Sequence, residues 1–275
     1  MSKNYLWDKS GIRYQLISNQ KGNNYNWLFL PGGPGADSEY LEGLALELRL
    51  PGNTWLIDLP NNGNNQVHEE YDFDSWFELL LPLVNQFQNP ILVGQSFGGM
   101  FPLMFPQLEE LLKGFVILNS SPSLWHETAN RVASEKGKPS MEKPLQEFVD
   151  NPNDETFKIA LMACAPYYFT DSTIEQGKKV LGKLPFNYHA ANWWQVKATE
   201  LNFDATWIPE SVETLIVCGE EDCMTPPELF TKDSRFKRDN IRIETIKNAG
   251  HMPWLDDLES VRSLFQTFLV KIERN

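Results

Sequence analysis

Gly94-Gln95-Ser96-Phe97-Gly98 follows the apolar run Pro90-Ile91-Leu92-Val93 and leads into Gly99-Met100-Phe101. The run reads as a buried strand and the residues after it as the opening of a helix. Gly-x-Ser-x-Gly at such a junction sets a serine on a very tight corner. Residues two before and two after it must lack a Cβ, or they would collide with the adjoining strand or helix. The corner exposes the Ser96 hydroxyl and aims the next backbone N–H, that of Phe97, at an incoming oxyanion. The same five residues could be a plain connection, so the weight falls on what surrounds them.

Around the corner, strand and helix signals alternate. Residues 12–18 and 25–30 read as strands. Asp37 or Ser38 can cap a helix carrying Leu41, Leu44, Leu46 and Leu48, stopped by Pro51-Gly52. A strand at 54–57 is followed by a polar loop at 61–65. Asp74 is expected to cap an amphipathic stretch reaching Phe87, with Trp76, Leu79, Leu80 and Leu83 on one side. Pro102 and Pro106 predict a break in the helix after Ser96. A further strand at 114–118 completes a pattern of βαβ units, hence a mostly parallel sheet flanked by helices.

That rhythm stops at about residue 123. Up to 210 the pattern is helical and irregular, with aromatic clusters at Tyr167-Tyr168-Phe169 and Trp193-Trp194. Strands return at 214–217 and 241–246, and an amphipathic helix spans 258–272. The expected organisation is an α/β core made of 1–122 and 211–275, with 123–210 inserted as a helical cap. Such a cap would cover the C-terminal edge of the strands, where open α/β sheets place their ligands.

The 275 residues, 41% hydrophobic and 22% charged, suit one elaborated globular α/β unit. A net charge of −13 argues against nucleic acid or anionic membrane as partner. The start, Met1-Ser2-Lys3-Asn4-Tyr5, has no apolar core of signal-peptide length, and no segment has the apolar length of a membrane span. Cys164, Cys218 and Cys223 have no metal-ligand spacing. Cys218 and Cys223 flank a loop and could bridge, but reduced thiols and a cytoplasmic location are the expectation.

A serine hydroxyl needs a base. Of four histidines, His126 and His189 fall in the helical stretch and His68 in a polar loop. His251, in Asn248-Ala249-Gly250-His251-Met252-Pro253, sits between the last strand and the last helix. A base of this kind needs a carboxylate to fix its tautomer. Asp222 follows the strand at 214–217, with Glu220 and Glu221 as alternatives. Ser96, Asp222 and His251 thus come in that order, each just past a strand end. Leu30-Pro31-Gly32-Gly33-Pro34-Gly35, directly after an early strand, can bring a second backbone N–H to the same edge. Gly33 is the expected donor and Gly32 the fallback.

Taken together, the corner, this order, the Pro31 to Gly35 loop and Asp58-Leu59-Pro60-Asn61-Asn62-Gly63 resemble the α/β-hydrolase superfamily. Within it the chain resembles the proline iminopeptidase branch, whose early loop typically reads His-Gly-Gly-Pro-Gly; here Pro31 replaces the histidine. The likeness spans about 1–122 and 211–275 and is weaker over the rest. It implies a serine hydrolase with no metal or organic cofactor, an aminopeptidase or amidase of the proline iminopeptidase kind that releases N-terminal residues from small amino-acyl substrates. Its partner would be a small molecule, a short peptide or an ester. Ser96 would be the nucleophile, His251 the base, Asp222 the orienting acid, and Phe97 and Gly33 the oxyanion donors. It also implies cap carboxylates that grip a substrate ammonium, drawn here from Glu147, Asp150, Asp171, Glu175 and above all Glu200, with Trp193 and Trp194 as a wall. An esterase or carbon–carbon bond hydrolase with the same triad is the alternative, and a non-catalytic ligand-binding protein a third.

Overall fold

The apolar runs at 26–30, 90–95, 114–118 and 214–219 become strands in which every residue is buried. That is what a parallel sheet covered on both faces requires. The computed structural model describes residues 4–22 and 24–274. Its strands are β1 (Leu6–Trp7), β2 (Arg13–Gln20), β3 (Asn26–Leu30), β4 (Gly52–Asp58), β5 (Pro90–Gln95), β6 (Gly114–Leu118), β7 (Thr214–Gly219) and β8 (Ile241–Ile246). They form one sheet in the order β1-β2-β4-β3-β5-β6-β7-β8. From β4 to β8 all neighbours are parallel, whereas β2 runs antiparallel to both β1 and β4. The expected mostly parallel sheet flanked by helices is therefore what forms.

Helices α1 (Glu42–Glu47), α2 (Trp76–Asn85), α3 (Phe97–Met100) and α4 (Leu108–Leu111) connect the first parallel strands. Between β6 and β7 lie α5 (His126–Glu135), α6 (Glu142–Asp150), α7 (Asp154–Ala163), α8 (Ala165–Tyr168), α9 (Ile174–Lys183) and α10 (Tyr188–Glu200). After β7 come α11 (Glu228–Thr231), α12 (Pro253–Asp256) and α13 (Leu258–Arg274). The break predicted after Ser96 is present: α3 is one turn long and gives way to a 3-10 turn over Phe101–Met104.

Alternation along each strand divides the core in two. Leu28 and Leu30 point to a cluster with Trp76, Phe97, Phe101 and Trp194, while Trp27 and Phe29 point to one built on α13. Val261, Phe265, Phe268 and Ile272 recur at three- and four-residue spacing and form the buried stripe of that helix.

Two expectations about caps resolve differently. Asp37 does cap a short 3-10 turn, Ser38–Leu41, by accepting from the Glu39 N–H. Asp74 does not cap the next helix. Asp72 accepts from the Asp74 N–H at 3.0 Å and opens the 3-10 turn Phe73–Ser75 that runs into α2. Two acidic residues two apart compete for one helix start, and the earlier one reaches the free N–H groups. Asp74 is released to take the Trp193 indole N–H at 2.7 Å and the Lys197 ammonium at 2.8 Å. Cys164, Cys218 and Cys223 are all free and buried.

Where β2 meets β4, a buried guanidinium serves two buried carboxylates. Arg13 donates to Asp58 Oδ2 through Nε (3.1 Å) and Nη2 (2.8 Å), and reaches Asp37 Oδ2 at 3.3 Å. Asp58 also accepts from the Ser38 N–H (2.6 Å) and hydroxyl (2.9 Å). One cation cannot fully offset two desolvated anions. Burial, and then the neighbouring Asp58 and Glu39, push the Asp37 carboxyl up to about 6 despite Arg13. An acid whose folded pKa is raised favours folding while protonated and loses that contribution as pH rises through the folded value. Wild-type protein is therefore expected to gain thermal stability relative to Asp37→Asn as pH falls from 7 to 5. Melting curves at stepped pH check this, and a difference that stays flat or shrinks refutes it.

Candidate active site

Ser96 sits between β5 and α3 with φ 52° and ψ −119°, a left-handed backbone that non-glycine residues adopt only when their surroundings enforce it. The surroundings do so by contact. A Cβ on Gly94 would lie 2.0 Å from the Gly98 carbonyl oxygen, and one on Gly98 would lie 2.4 Å from that of Leu30. Ser96 is held through its backbone as well. Its N–H donates to the Leu118 carbonyl at 3.0 Å, and its own carbonyl accepts from the Ser120 hydroxyl at 2.7 Å. The residue stays partly exposed at the end of β5.

His251 follows β8 and is nearly fully buried. Its Nδ1 lies 2.7 Å from Asp222 Oδ2, which assigns the proton to Nδ1 and leaves the Nε2 lone pair free to accept one. The His251 N–H donates to the Tyr168 carbonyl at 2.6 Å, and the Tyr168 ring stands edge-on to the imidazole at 5.0 Å. Asp222 is fully buried and surrounded by donors. Besides His251, it accepts from the Asn119 amide (2.8 Å), the Thr225 hydroxyl (2.8 Å) and the N–H groups of Met224 (2.8 Å) and Thr225 (3.0 Å). Burial alone would raise its pKa. His251, followed by Asn119 and the Thr225 N–H, outweighs that and holds the carboxyl below the ordinary value. Glu220 instead accepts from the Asn248 N–H, and Glu221 from Lys136. Of the three acids, Asp222 is the one that touches His251.

Among the described residues no hydrogen bond joins the Ser96 hydroxyl directly to His251. Their loops are nevertheless neighbours, since the Gln95 amide donates to the His251 carbonyl at 3.4 Å. A catalytic hydrogen bond often tightens only once substrate is bound.

The glycine loop lies against the same corner. Gly33 is exposed, with φ +110°. Gly32, the fallback donor, has its N–H engaged by the Tyr40 hydroxyl at 2.6 Å, which removes it as an oxyanion donor. Phe97 is the first residue of α3, where an N–H has no intrahelical acceptor. Asn62 fixes the rest of the loop, accepting from the Gly35 N–H and donating to the Ala36 carbonyl, both at 2.8 Å. The Gly35 carbonyl accepts the Asn187 N–H at 2.8 Å and so ties the loop to the start of α10.

The residues expected to grip substrate differ in their surroundings. Glu200 is exposed, at the end of α10, and faces Lys197 at 3.8 Å. Glu147, Asp150, Asp171 and Glu175 are exposed too. Trp193 packs on Phe73, Trp76 and Phe77. Trp194 does reach the corner: it is fully buried, with its ring 5.0 Å from that of Phe97 and 5.4 Å from that of Phe203. Among the described residues no group of three histidine, cysteine or acidic side chains is placed to hold a metal ion, and no helix is long and apolar enough to cross a membrane.

Sequence reasoning missed Tyr40, Asn119, Ser120, Thr225 and the part played by Tyr168. Two signals were available. Asn119-Ser120 directly follows β6, as Ser96 directly follows β5, and Asp222 lies three residues past the end of β7. Thr225 lies three residues after Asp222, the spacing at which a carboxylate folds back on its own backbone.

No curated protein sequence matches this chain. Several solved structures resemble it in fold. A proline iminopeptidase-related protein from Thermus thermophilus is 18% identical, with 99% of each chain covered and a TM-score of 0.71. A thermophilic esterase from Thermogutta terrifontis is 18% identical, with 99% of each chain covered and a TM-score of 0.66. The proline iminopeptidase of Mycobacterium smegmatis is 18% identical, with 98% of each chain covered and a TM-score of 0.66. Residues 27–263 match the alpha/beta hydrolase family, and with most of its length inside that match this chain belongs to the family.

Proposed function

We propose that the protein hydrolyses small uncharged acyl esters through an acyl-enzyme on Ser96. The observation that carries this reading is the buried His251–Asp222 pair, whose 2.7 Å contact leaves Nε2 as the basic atom, on a loop that the Gln95 amide ties to the Ser96 turn. His251 Nε2 takes the Ser96 proton as Oγ attacks the carbonyl carbon. The tetrahedral oxyanion is received by the N–H groups of Phe97 and Gly33, each such donor contributing about 3 kcal/mol to the transition state. Collapse expels the alkoxide, which leaves as an alcohol with the proton from His251. Water then enters, His251 takes one of its protons, and the second tetrahedral intermediate releases the acid and regenerates Ser96. Asp222 stays ionised throughout and stabilises the imidazolium.

The choice of ester rests on what flanks the corner. Its apolar flank is Phe97 backed by Trp194, and the acidic residues suited to an ammonium are spread over the exposed surface. A second reading, an aminopeptidase of the proline iminopeptidase kind, is supported by the Pro31 to Gly35 loop and by the two structural neighbours described as related to that enzyme or identical with it. In either case the helical stretch 123–210 acts as a cap over the site, and the protein works in the cytoplasm as a cofactor-free enzyme.

Short-chain p-nitrophenyl esters should be turned over readily, and prolyl or alanyl naphthylamides negligibly. Faster cleavage of the amides, lost when their amine is blocked, would reverse the choice. Ser96→Ala should abolish turnover and labelling by a fluorophosphonate with an unchanged melting temperature; residual activity near wild type would remove Ser96 from its role. Asp222→Asn should lower kcat by about 10⁴-fold by stabilising the wrong imidazole tautomer, and a near-normal rate would reassign the acid.

A further inference from the structure

We propose that Tyr40 is a positioning residue for the oxyanion hole, holding the glycine loop against the nucleophile corner through a hydrogen-bond chain that ends on the His251 loop. The proposal rests on the hydrolytic reading above and adds to it a residue outside the triad and its backbone donors.

The chain has three links. The Gly32 N–H donates to the Tyr40 hydroxyl oxygen at 2.6 Å. The Tyr40 O–H donates to Gln95 Oε1 at 2.6 Å. Gln95 Nε2 donates to the His251 carbonyl at 3.4 Å. The directions are fixed by chemistry. A backbone N–H can only donate, so the phenol must accept there and spend its single proton on Gln95. That turns the Gln95 oxygen toward Tyr40 and its NH₂ toward His251, and each group then meets a partner of the right kind. Three loops that share no sequence neighbourhood are joined in this way: the glycine loop, the corner and the base loop.

Packing makes the link demanding. A Cβ on Gly32 would lie 2.3 Å from Gln95 Oε1 and 2.8 Å from Ser96 Cβ, so this stretch of loop rests directly on the corner. Pro31 has no N–H to contribute to its own placement. Gly33, the expected donor, is exposed and follows the peptide that Tyr40 grips. A misplacement of about 1 Å in such a group can cost on the order of 10²-fold in rate.

Tyr40 is itself well supported. It belongs to the 3-10 turn Ser38–Leu41, whose first residue is bound through both its N–H and its hydroxyl to Asp58, the carboxylate paired with Arg13. Burial pushes the phenol well up, and Asp37 and Asp58 add to this, while the Gly32 N–H offsets only part. The hydroxyl therefore keeps its proton across the working range and stays a donor to Gln95.

Tyr40→Phe removes one oxygen and leaves the ring. For p-nitrophenyl butyrate we expect kcat to fall by about 10- to 100-fold, with KM within twofold of wild type. Affinity for a trifluoromethyl ketone, which forms a tetrahedral oxyanion on Ser96, should fall by the same factor, while the matching unreactive alcohol binds as before. Gln95→Leu, which strips the phenol of its acceptor, should show the same split and guards against a folding defect in the first variant. A kcat within twofold of wild type, or equal losses for ketone and alcohol, overturns the proposal. Fluorophosphonate labelling keeps the two levels apart. Wild-type protein that labels, beside a Tyr40→Phe variant of unchanged rate, overturns the Tyr40 role alone. Wild-type protein that neither labels nor turns over ester overturns the hydrolytic reading and this role with it.

Discussion

The site depends on a steric contact before it depends on any charge. Leu30 pairs with Gly94 in the sheet register, so the end of β3 and the corner after β5 lie side by side. The corner fits only because Gly94 and Gly98 have no Cβ, with the Gly98 α-carbon resting on the backbone of Leu30 and Pro31. This one approach brings the glycine loop within reach of Ser96 and forces the serine into its left-handed backbone. Substituting either glycine would separate Ser96 from the glycine loop even if both survived individually.

Strand order supplies the rest. In the sequence β3-β5-β6-β7-β8 every strand points the same way. The five loops that leave their C-terminal ends carry the glycine loop, Ser96, Asn119-Ser120, Asp222 and His251. Cross-links then lock the row. Ser120 holds the Ser96 carbonyl, and Asn119 holds both Asp222 and, at 3.2 Å, the Gly250 carbonyl. Gln95 reaches His251. Burying Asp222 without these partners would drive it toward its neutral form. With them it remains a carboxylate, as an imidazolium beside it requires.

Much of this was legible in the sequence. Strands buried on both faces are continuous apolar runs, and the corner pentapeptide, the order Ser96, Asp222, His251 and the Pro31 to Gly35 loop are all local patterns at strand ends. β1 was not legible, because a two-residue strand carries no periodicity, and β2, read as a strand at 12–18, gave no sign that it runs antiparallel. Nor was the choice between Asp72 and Asp74, which depends on Trp193 and Lys197 more than a hundred residues away. Gly32 and Gly33 are indistinguishable by position; only Tyr40, eight residues on, tells them apart by occupying one N–H. The exposure of Glu200 was hidden for a related reason. Its distance from the tryptophans along the chain says nothing of which side of α10 it faces.

The helical stretch between β6 and β7 is bound to the reacting groups at two places, Asn187 on the Gly35 carbonyl and the Tyr168 carbonyl on the His251 N–H. This stretch and the two loops it holds therefore behave as one mechanical unit along those lines. Lifting α10 would release the glycine loop, and lifting α8 would release the His251 N–H. By contrast α6 has no buried residue.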